Sequence, residues 1–330
     1  MQGGTARRAA TVVSVVCMAY LGPEGTFTEA ALLQIMSAGL VPGHDLDTTV
    51  QRLPVESSPA ALDAVRTGVA DFACVPMENS IDGSLAPTLD SLANGSPLQV
   101  FAETTLDVSF SIVVRPGCNV ADVRTVAAFP VAAAQVRQWL TAHLPGVEVC
   151  PAYSNADAAR QVADGQVDAA VTSPLAAAHW ALESMADGVV DESSARTRFV
   201  LIGRPARPPA RTGVDRTSAV LRIDNVPGAL VQALTEFGMR GIDLTRIESR
   251  PTRTELGTYM FFVDCLGHID DHAVAEALKA LRRRCADVRY LGSWPCGQAG
   301  GAEPPPPDAA STWLAQLRQG QFESSQEPGR

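Results

Sequence analysis

The chain holds 330 residues, room for about two domains, and 46% of them are apolar, an ordinary fraction for a protein with real cores. Its 36 acidic residues against 26 Lys and Arg leave a formal charge of −10, which argues against a nucleic-acid binder with a basic face. No stretch reaches the ~20 apolar residues of a membrane helix, and seven cysteines, an odd number with no CxxC, argue against a disulfide frame or a Cys-based zinc site.

At the N-terminus Arg7 and Arg8 precede an apolar run over 9–19, which imitates an export signal. The run meets Gly22-Pro23 without a small-residue cleavage site. It therefore reads as an extension over 1–17 merging into a first strand, 12–20, of a reduced, cytoplasmic protein. In YLGPEGTFTEAAL, Tyr20-Leu21 closes that strand and Thr26 or Thr28 caps a helix.

An internal echo follows. SPAALDAVRTGVADFACVP, from Ser58, aligns with NADAARQVADGQVDAAVTS, from Asn155: Ala61 with Ala158, Val65 with Val162, Gly68 with Gly165, Asp71 with Asp168. Each copy reads as a helix capped by Ser58 or Asn155 and closed by Gly, then an apolar strand. A polar loop ends each copy, PMENSIDGS in one and TSPLAAA in the other. This predicts two similar α/β lobes, with helices covering mostly parallel sheets and the post-strand loops facing a common cleft. Helix N-termini aimed into that cleft favour a small carboxylate. The lobes are crossed near 104–117 and 188–203, with 104–117 read as one long strand and the second crossing placing Thr197 at the cleft floor.

A Pro/Arg-rich stretch at 204–213 marks a linker, set at 206–214, after a first block of 18–205. The second block, 215–295, reads β-α-β-β-α-β, a ferredoxin-like pattern. Its strands are expected at 218–223, 242–249, 258–265 and 288–291, its helices at 228–237 and 271–283, and a hairpin loop at 250–257. Residues 296–330 form a low-complexity tail: a Pro-rich spacer at 297–308, then a short helix with Trp313, Leu314 and Leu317 on one face.

YLGPEGTFTEAAL, VPMENSIDGSLAPTLDSL, TRFVLIG, NVPGALVQAL and ESRPTRTELGTYMFFVD, in this order and spacing, resemble the motifs of the prephenate dehydratase family, from Met18 to Pro295. The resemblance implies a bilobal catalytic domain of the type II periplasmic-binding-protein kind, followed by an ACT domain, a ferredoxin-like amino-acid sensor. It implies decarboxylative dehydration of prephenate to phenylpyruvate in phenylalanine biosynthesis, without metal or cofactor. It further implies feedback by phenylalanine, and a homodimer or homotetramer with ACT–ACT contacts and no nucleic-acid or membrane partner.

The same resemblance carries the site. Thr197 is the expected essential hydroxyl. In this reaction the departing carboxylate supplies electrons and aromatisation drives the ring hydroxyl out, so a placed neutral hydroxyl suffices where a strong acid is not needed. Glu78 and Asn79 match residues tied to activity, with Glu78 either an acid or a group that orients Asn79. Arg198 either binds a substrate carboxylate or polarises Thr197. Ser80, with Thr172 and Ser173 from the opposite lobe, offers hydroxyls to carboxylates; Thr26, Phe27 and Phe199 complete the substrate set, Phe27 against the ring. The phenylalanine site falls on Asn225, Gly228, Ala229, Leu230 and Val231, where a helix N-terminus can hold a carboxylate, and on Glu248, Ser249, Arg250 and Pro251, with Glu248 toward the ammonium. Many relatives carry Ser-His-Pro where this chain has Ala128-Phe129-Pro130, with Gln135 following, so the contacts of that Ser and His are missing. Two alternatives stand beside this reading: an arogenate dehydratase, and a non-catalytic bilobal binder of amino acids or carboxylates.

Overall fold

The structure is a computed structural model that describes residues 15–44, 48–81, 83–191, 196–253, 255, 257–296, 309–319 and 321; the expected extension before residue 15 and the spacer at 297–308 lie outside these. The chain divides into two compact units, residues 1–91 with 104–204 and residues 92–103 with 205–330.

The first lobe comprises β1 (Val15–Leu21), α1 (Phe27–Ser37), β2 (Thr49–Val55), α2 (Ser58–Thr67), β3 (Phe72–Asn79), β4 (Gly83–Ser84), α3 (Ala86–Ala93) and β5 (Gln99–Asp107). The second lobe follows with β6 (Phe110–Val114), β7 (Thr125–Ala128), α4 (Pro130–Gln135), α5 (Arg137–His143) and β8 (Glu148–Pro151). It ends with α6 (Asn155–Ala163), β9 (Ala169–Thr172), α7 (Pro174–His179) and β10 (Glu183–Val189), before β11 (Arg196–Gly203) returns to the first sheet. The sheet orders are β2-β1-β3-β11-β5 and, read in the matching sense, β8-β7-β9-β6-β10. In each, three parallel strands are followed by an antiparallel strand arriving from the other lobe. This is the type II periplasmic-binding-protein plan. Parallel strands covered on both faces need continuous apolar runs. Met18, Ala19 and Tyr20 in β1, and Ala169, Ala170 and Val171 in β9, are fully buried.

The lobes share more than the echo announced. The helix caps are Ser57 and Ser154, one residue before the expected Ser58 and Asn155. Both are extended, and their hydroxyls accept from Ala60 N–H (3.2 Å) and Asp157 N–H (2.9 Å). Asp71 accepts from Cys17 N–H and Asp168 from the N–H of Arg124 and Thr125, so each carboxylate pins the strand beside its own. Arg204, past β11, donates to the carbonyls of Val65 and Ala70. Arg115, past β6, donates to Val162 and Val167, and each cation thus sits at the C-terminus of its lobe's repeated helix.

The single strand expected over 104–117 is two, β5 and β6, in different sheets. Val108 and Ser109 leave the ladder where the chain changes sheets, and the exposed Asp107 carboxylate instead pairs with Arg196 at 2.8 Å.

In the second unit β12 (Asp215–Arg222), α8 (Ala229–Gly238), β13 (Leu244–Pro251), β14 (Tyr259–Leu266), α9 (His272–Arg284) and β15 (Asp287–Pro295) form an antiparallel sheet, β13-β14-β12-β15. The two helices bury Phe237, Val274 and Leu281 against Leu221 and Val263. β13 starts at Leu244, not 242, because Ile242 N–H turns back to the Phe237 carbonyl under α8. It also runs on through Arg250-Pro251, shortening the expected hairpin loop. The tail helix α10 (Ala309–Arg318) leaves Trp313 and Leu314 exposed. No helix of the described residues is long and apolar enough to cross a membrane. All seven cysteines are unbridged, and burial pushes the Cys265 thiol up to about 12.

Candidate active and effector sites

The expected ENS loop is not a loop. β3 continues through Glu78 and Asn79, because β11 pairs with it on one side and the short β4 on the other. Thr197 opposes Asn79, Arg198 opposes Glu78 and Phe199 opposes Pro76, which leaves Met77 as the extra residue of a β-bulge. Bulges re-aim side chains at strand ends. Asn79 Nδ2 donates to Thr197 Oγ at 2.9 Å, while Asn79 Oδ1 accepts from Ile81 N–H at 2.8 Å, which settles the orientation of the amide. Glu78 holds Arg198 at 3.0 Å. Successive strand side chains point to opposite faces, so the Thr197–Asn79 pair and the Arg198–Glu78 pair lie on opposite faces of the sheet. Ser80 exchanges bonds with the Arg196 backbone, its hydroxyl accepting the Arg196 N–H at 2.9 Å. Phe199 is buried in the sheet.

Between the lobes lies a cavity of about 1120 Å³. Its first-lobe wall is residues 21–24, 26–28 and 54–56; its second-lobe wall includes Phe129, residues 153–157, Arg160, His179 and Trp180. Thr26 and Phe27 stand in this wall as expected, whereas Thr197, Asn79, Thr172 and Ser173 are not among its lining residues. Thr26 caps α1, and its hydroxyl donates to the Leu21 carbonyl. Phe27 meets Phe110 edge-on at 5.8 Å. Thr172 Oγ donates to the Asn155 carbonyl at 2.6 Å and Ser173 Oγ to the Gly25 carbonyl at 2.5 Å, so both hydroxyls are spent inside the protein. Phe129 opens α4 without a side-chain cap.

Sequence reasoning passed over the residues around α6. Asn155 Oδ1 is buried without a hydrogen-bond partner in the cavity wall. Burial raises the Asp157 carboxyl, but bonds from Arg160, Tyr153 N–H and Gln161 outweigh it and hold the group below the usual carboxylate range. The repeated helix cap was the available signal, since a capped helix after a strand puts its first turn at the cleft.

In the second unit Gly228 caps α8 with a φ of +82°, a left-handed conformation that suits glycine. No side chain caps this helix; the Ala229 N–H turns back to the Val226 carbonyl at 3.2 Å, and exposed Val226 and Val231 flank the N–H groups that follow. Asn225 Nδ2 reaches the Gly257 carbonyl at 3.3 Å, joining this turn to the β13–β14 hairpin. Glu248, Ser249, Arg250 and Pro251 lie on β13, the edge of its sheet.

The chain thus holds two α/β lobes around a cavity and, as a separate unit, a ferredoxin-like sheet with two helices. Residues 18–207 match the prephenate dehydratase family and residues 217–283 match the ACT domain. The chain is 81% identical over 311 residues to a prephenate dehydratase of Mycobacterium ulcerans, covering 94% of this chain and 98% of that one. It is 74% identical over 319 residues to that of Mycobacterium leprae, covering 96% and 99%. A crystal structure of a prephenate dehydratase in complex with L-Phe from Arthrobacter aurescens is 39% identical, covers 92% of this chain and 98% of that one, and superposes with a TM-score of 0.81. The chain belongs to the prephenate dehydratase family. It is an enzyme of that family, a carbon–oxygen lyase with a C-terminal ACT domain.

Proposed function

We propose that the chain converts prephenate to phenylpyruvate, carbon dioxide and water, with the Thr197 hydroxyl assisting departure of the ring hydroxyl. The observation that carries this role is the bond from Asn79 Nδ2 to Thr197 Oγ. Accepting that bond occupies an oxygen lone pair and turns the hydroxyl's own proton toward another acceptor, the leaving oxygen. Arg198 lies on the opposite face of the strand from Thr197, buried and held by Glu78, so it fixes this strand end and does not reach a substrate carboxylate on the Thr197 face. Glu78 then acts by holding Arg198 and not as an acid.

Phenylalanine is the effector in this reading. The Arthrobacter aurescens relative carries L-Phe, and the uncapped start of α8 offers N–H donors to an amino-acid carboxylate, with Glu248 for its ammonium. The terminal place of β13 in its sheet supports pairing of two ACT domains in a homodimer or homotetramer. The unbridged thiols fit a reducing cytoplasm.

The test is the ultraviolet absorbance of phenylpyruvate after mixing with prephenate, with and without phenylalanine, and in parallel the formation of phenylalanine from arogenate, followed by amino-acid chromatography. Turnover of prephenate suppressed by phenylalanine is expected. Turnover of arogenate alone would reassign the substrate, and turnover of neither would leave a binding protein.

A further inference from the structure

The loop between β1 and α1 does more than line the cavity. Gly25 has a φ of +86°, and a Cβ there would meet the Cβ of Ala176 at 2.8 Å and its Cα at 2.9 Å, so this backbone touches α7 of the opposite lobe. The Gly25 carbonyl accepts from Ser173 Oγ at 2.5 Å, and Ser173 Oγ in turn accepts from Ala176 N–H at 3.1 Å as the cap of α7. On the other side, Gly25 N–H donates to Glu29 Oε2 at 2.6 Å. Glu29 is 4% exposed; its second oxygen pairs with Arg52 of β2. Burial first, and then this carboxylate, push the phenol of fully buried Tyr20 above its ordinary range.

A carboxylate buried this deeply holds its place only through such partners. One residue, Gly25, is therefore gripped from both lobes, by Glu29 through its N–H and by Ser173 through its carbonyl. The next two residues, Thr26 and Phe27, stand in the cavity wall. We infer that Glu29, Gly25 and Ser173 form an interlobe latch, in which Glu29 is a positioning residue that sets the Gly25 peptide so that Ser173 can hold the lobes together around the substrate. Ser173 then serves closure and not a substrate carboxylate. The inference rests on the proposed dehydratase reading for its kinetic consequence, but not for its structural one.

The test combines hydrogen exchange with steady-state kinetics on the full chain. Ser173→Ala, a change in the second lobe, is expected to speed exchange of the peptide 22–28 in the first lobe about tenfold, the scale of one lost hydrogen bond. With prephenate it is expected to raise KM about tenfold with kcat nearly unchanged. Glu29→Ala is expected to do the same, and Glu29→Gln, which keeps a carbonyl for Gly25 N–H, to recover most of the loss. Unchanged exchange in Ser173→Ala, or KM unmoved in both variants, would overturn the latch. Should Glu29→Ala fail to fold, Ser173→Ala decides alone. Should the unaltered chain not turn over prephenate, the functional reading fails while the exchange result still decides the latch.

Discussion

In the first lobe the strand after the repeated helix runs eight residues, Phe72 to Asn79; in the second its counterpart runs four, Ala169 to Thr172. Both start from the same parts: a serine-capped helix, an arginine on its C-terminal carbonyls and an aspartate pinning the neighbouring strand. The first strand then bulges at Met77, pairs with β11 and β4, and ends in Asn79 against Thr197. The second stops, and its Thr172 turns inward to the Asn155 carbonyl. A repeated scaffold therefore positions two similar strand ends, and the four extra residues give one of them its paired polar groups.

The two strand ends should differ most at their threonines. Thr197→Val is expected to lower kcat about 10²–10⁴-fold, roughly 3–5 kcal/mol of barrier. Thr172→Val, at the end of the matching strand, is expected to cost less than tenfold, and steady-state rates on prephenate compare them. A smaller effect is expected in the sensor. Gly228→Ala adds a Cβ that meets Gln232 Nε2 at an ordinary 3.8 Å but at a φ of +82°, and should raise the phenylalanine concentration for half-inhibition about tenfold while leaving the uninhibited rate alone. Smaller still are the helix caps. Ser57→Ala and Ser154→Ala should each cost about 1 kcal/mol in denaturant unfolding, and only Ser154→Ala should also change KM, because Ser154 lines the cavity.

The weakest expected effect is one of pH. The N–H of Arg124, with the Thr125 hydroxyl and N–H, outweighs burial and holds the Asp168 carboxyl below the usual range. A carboxylate depressed in the folded state stabilises above its unfolded pKa, and that contribution fades as pH falls through the folded value. Asp168→Asn should therefore be less stable at pH 7, and the gap to the unaltered chain should close in acid, as followed by thermal unfolding.

Much of this scaffold was legible because it is local and periodic. The Ala/Val spacing of α2 and α6 marked their buried faces, and the glycines after them marked their ends. The βαββαβ order of the second unit followed from alternating apolar runs and turn formers. The caps were misplaced by one residue because Ser57 and Ser58 are both competent, and only the extended backbone of Ser57 decides between them. The break at Val108-Ser109 was hidden because the alternation of apolar Leu106, Val108, Phe110 and Ile112 with polar residues continues through it. The bulge at Met77 depends on pairing with a strand more than 100 residues away, and no local pattern records it. Thr172 and Ser173 looked like free donors after a strand, but their acceptors, the Asn155 and Gly25 carbonyls, are set by tertiary packing.

Asn79 acts through Thr197, and the decisive measurement is Asn79→Ala made twice, in the unaltered chain and in Thr197→Val. The account predicts a loss of kcat on prephenate of about 10–100-fold in the first background and almost none in the second, because the hydroxyl that Asn79 orients is gone. An equal loss in both backgrounds would show that Asn79 works independently of Thr197 and would contradict the account.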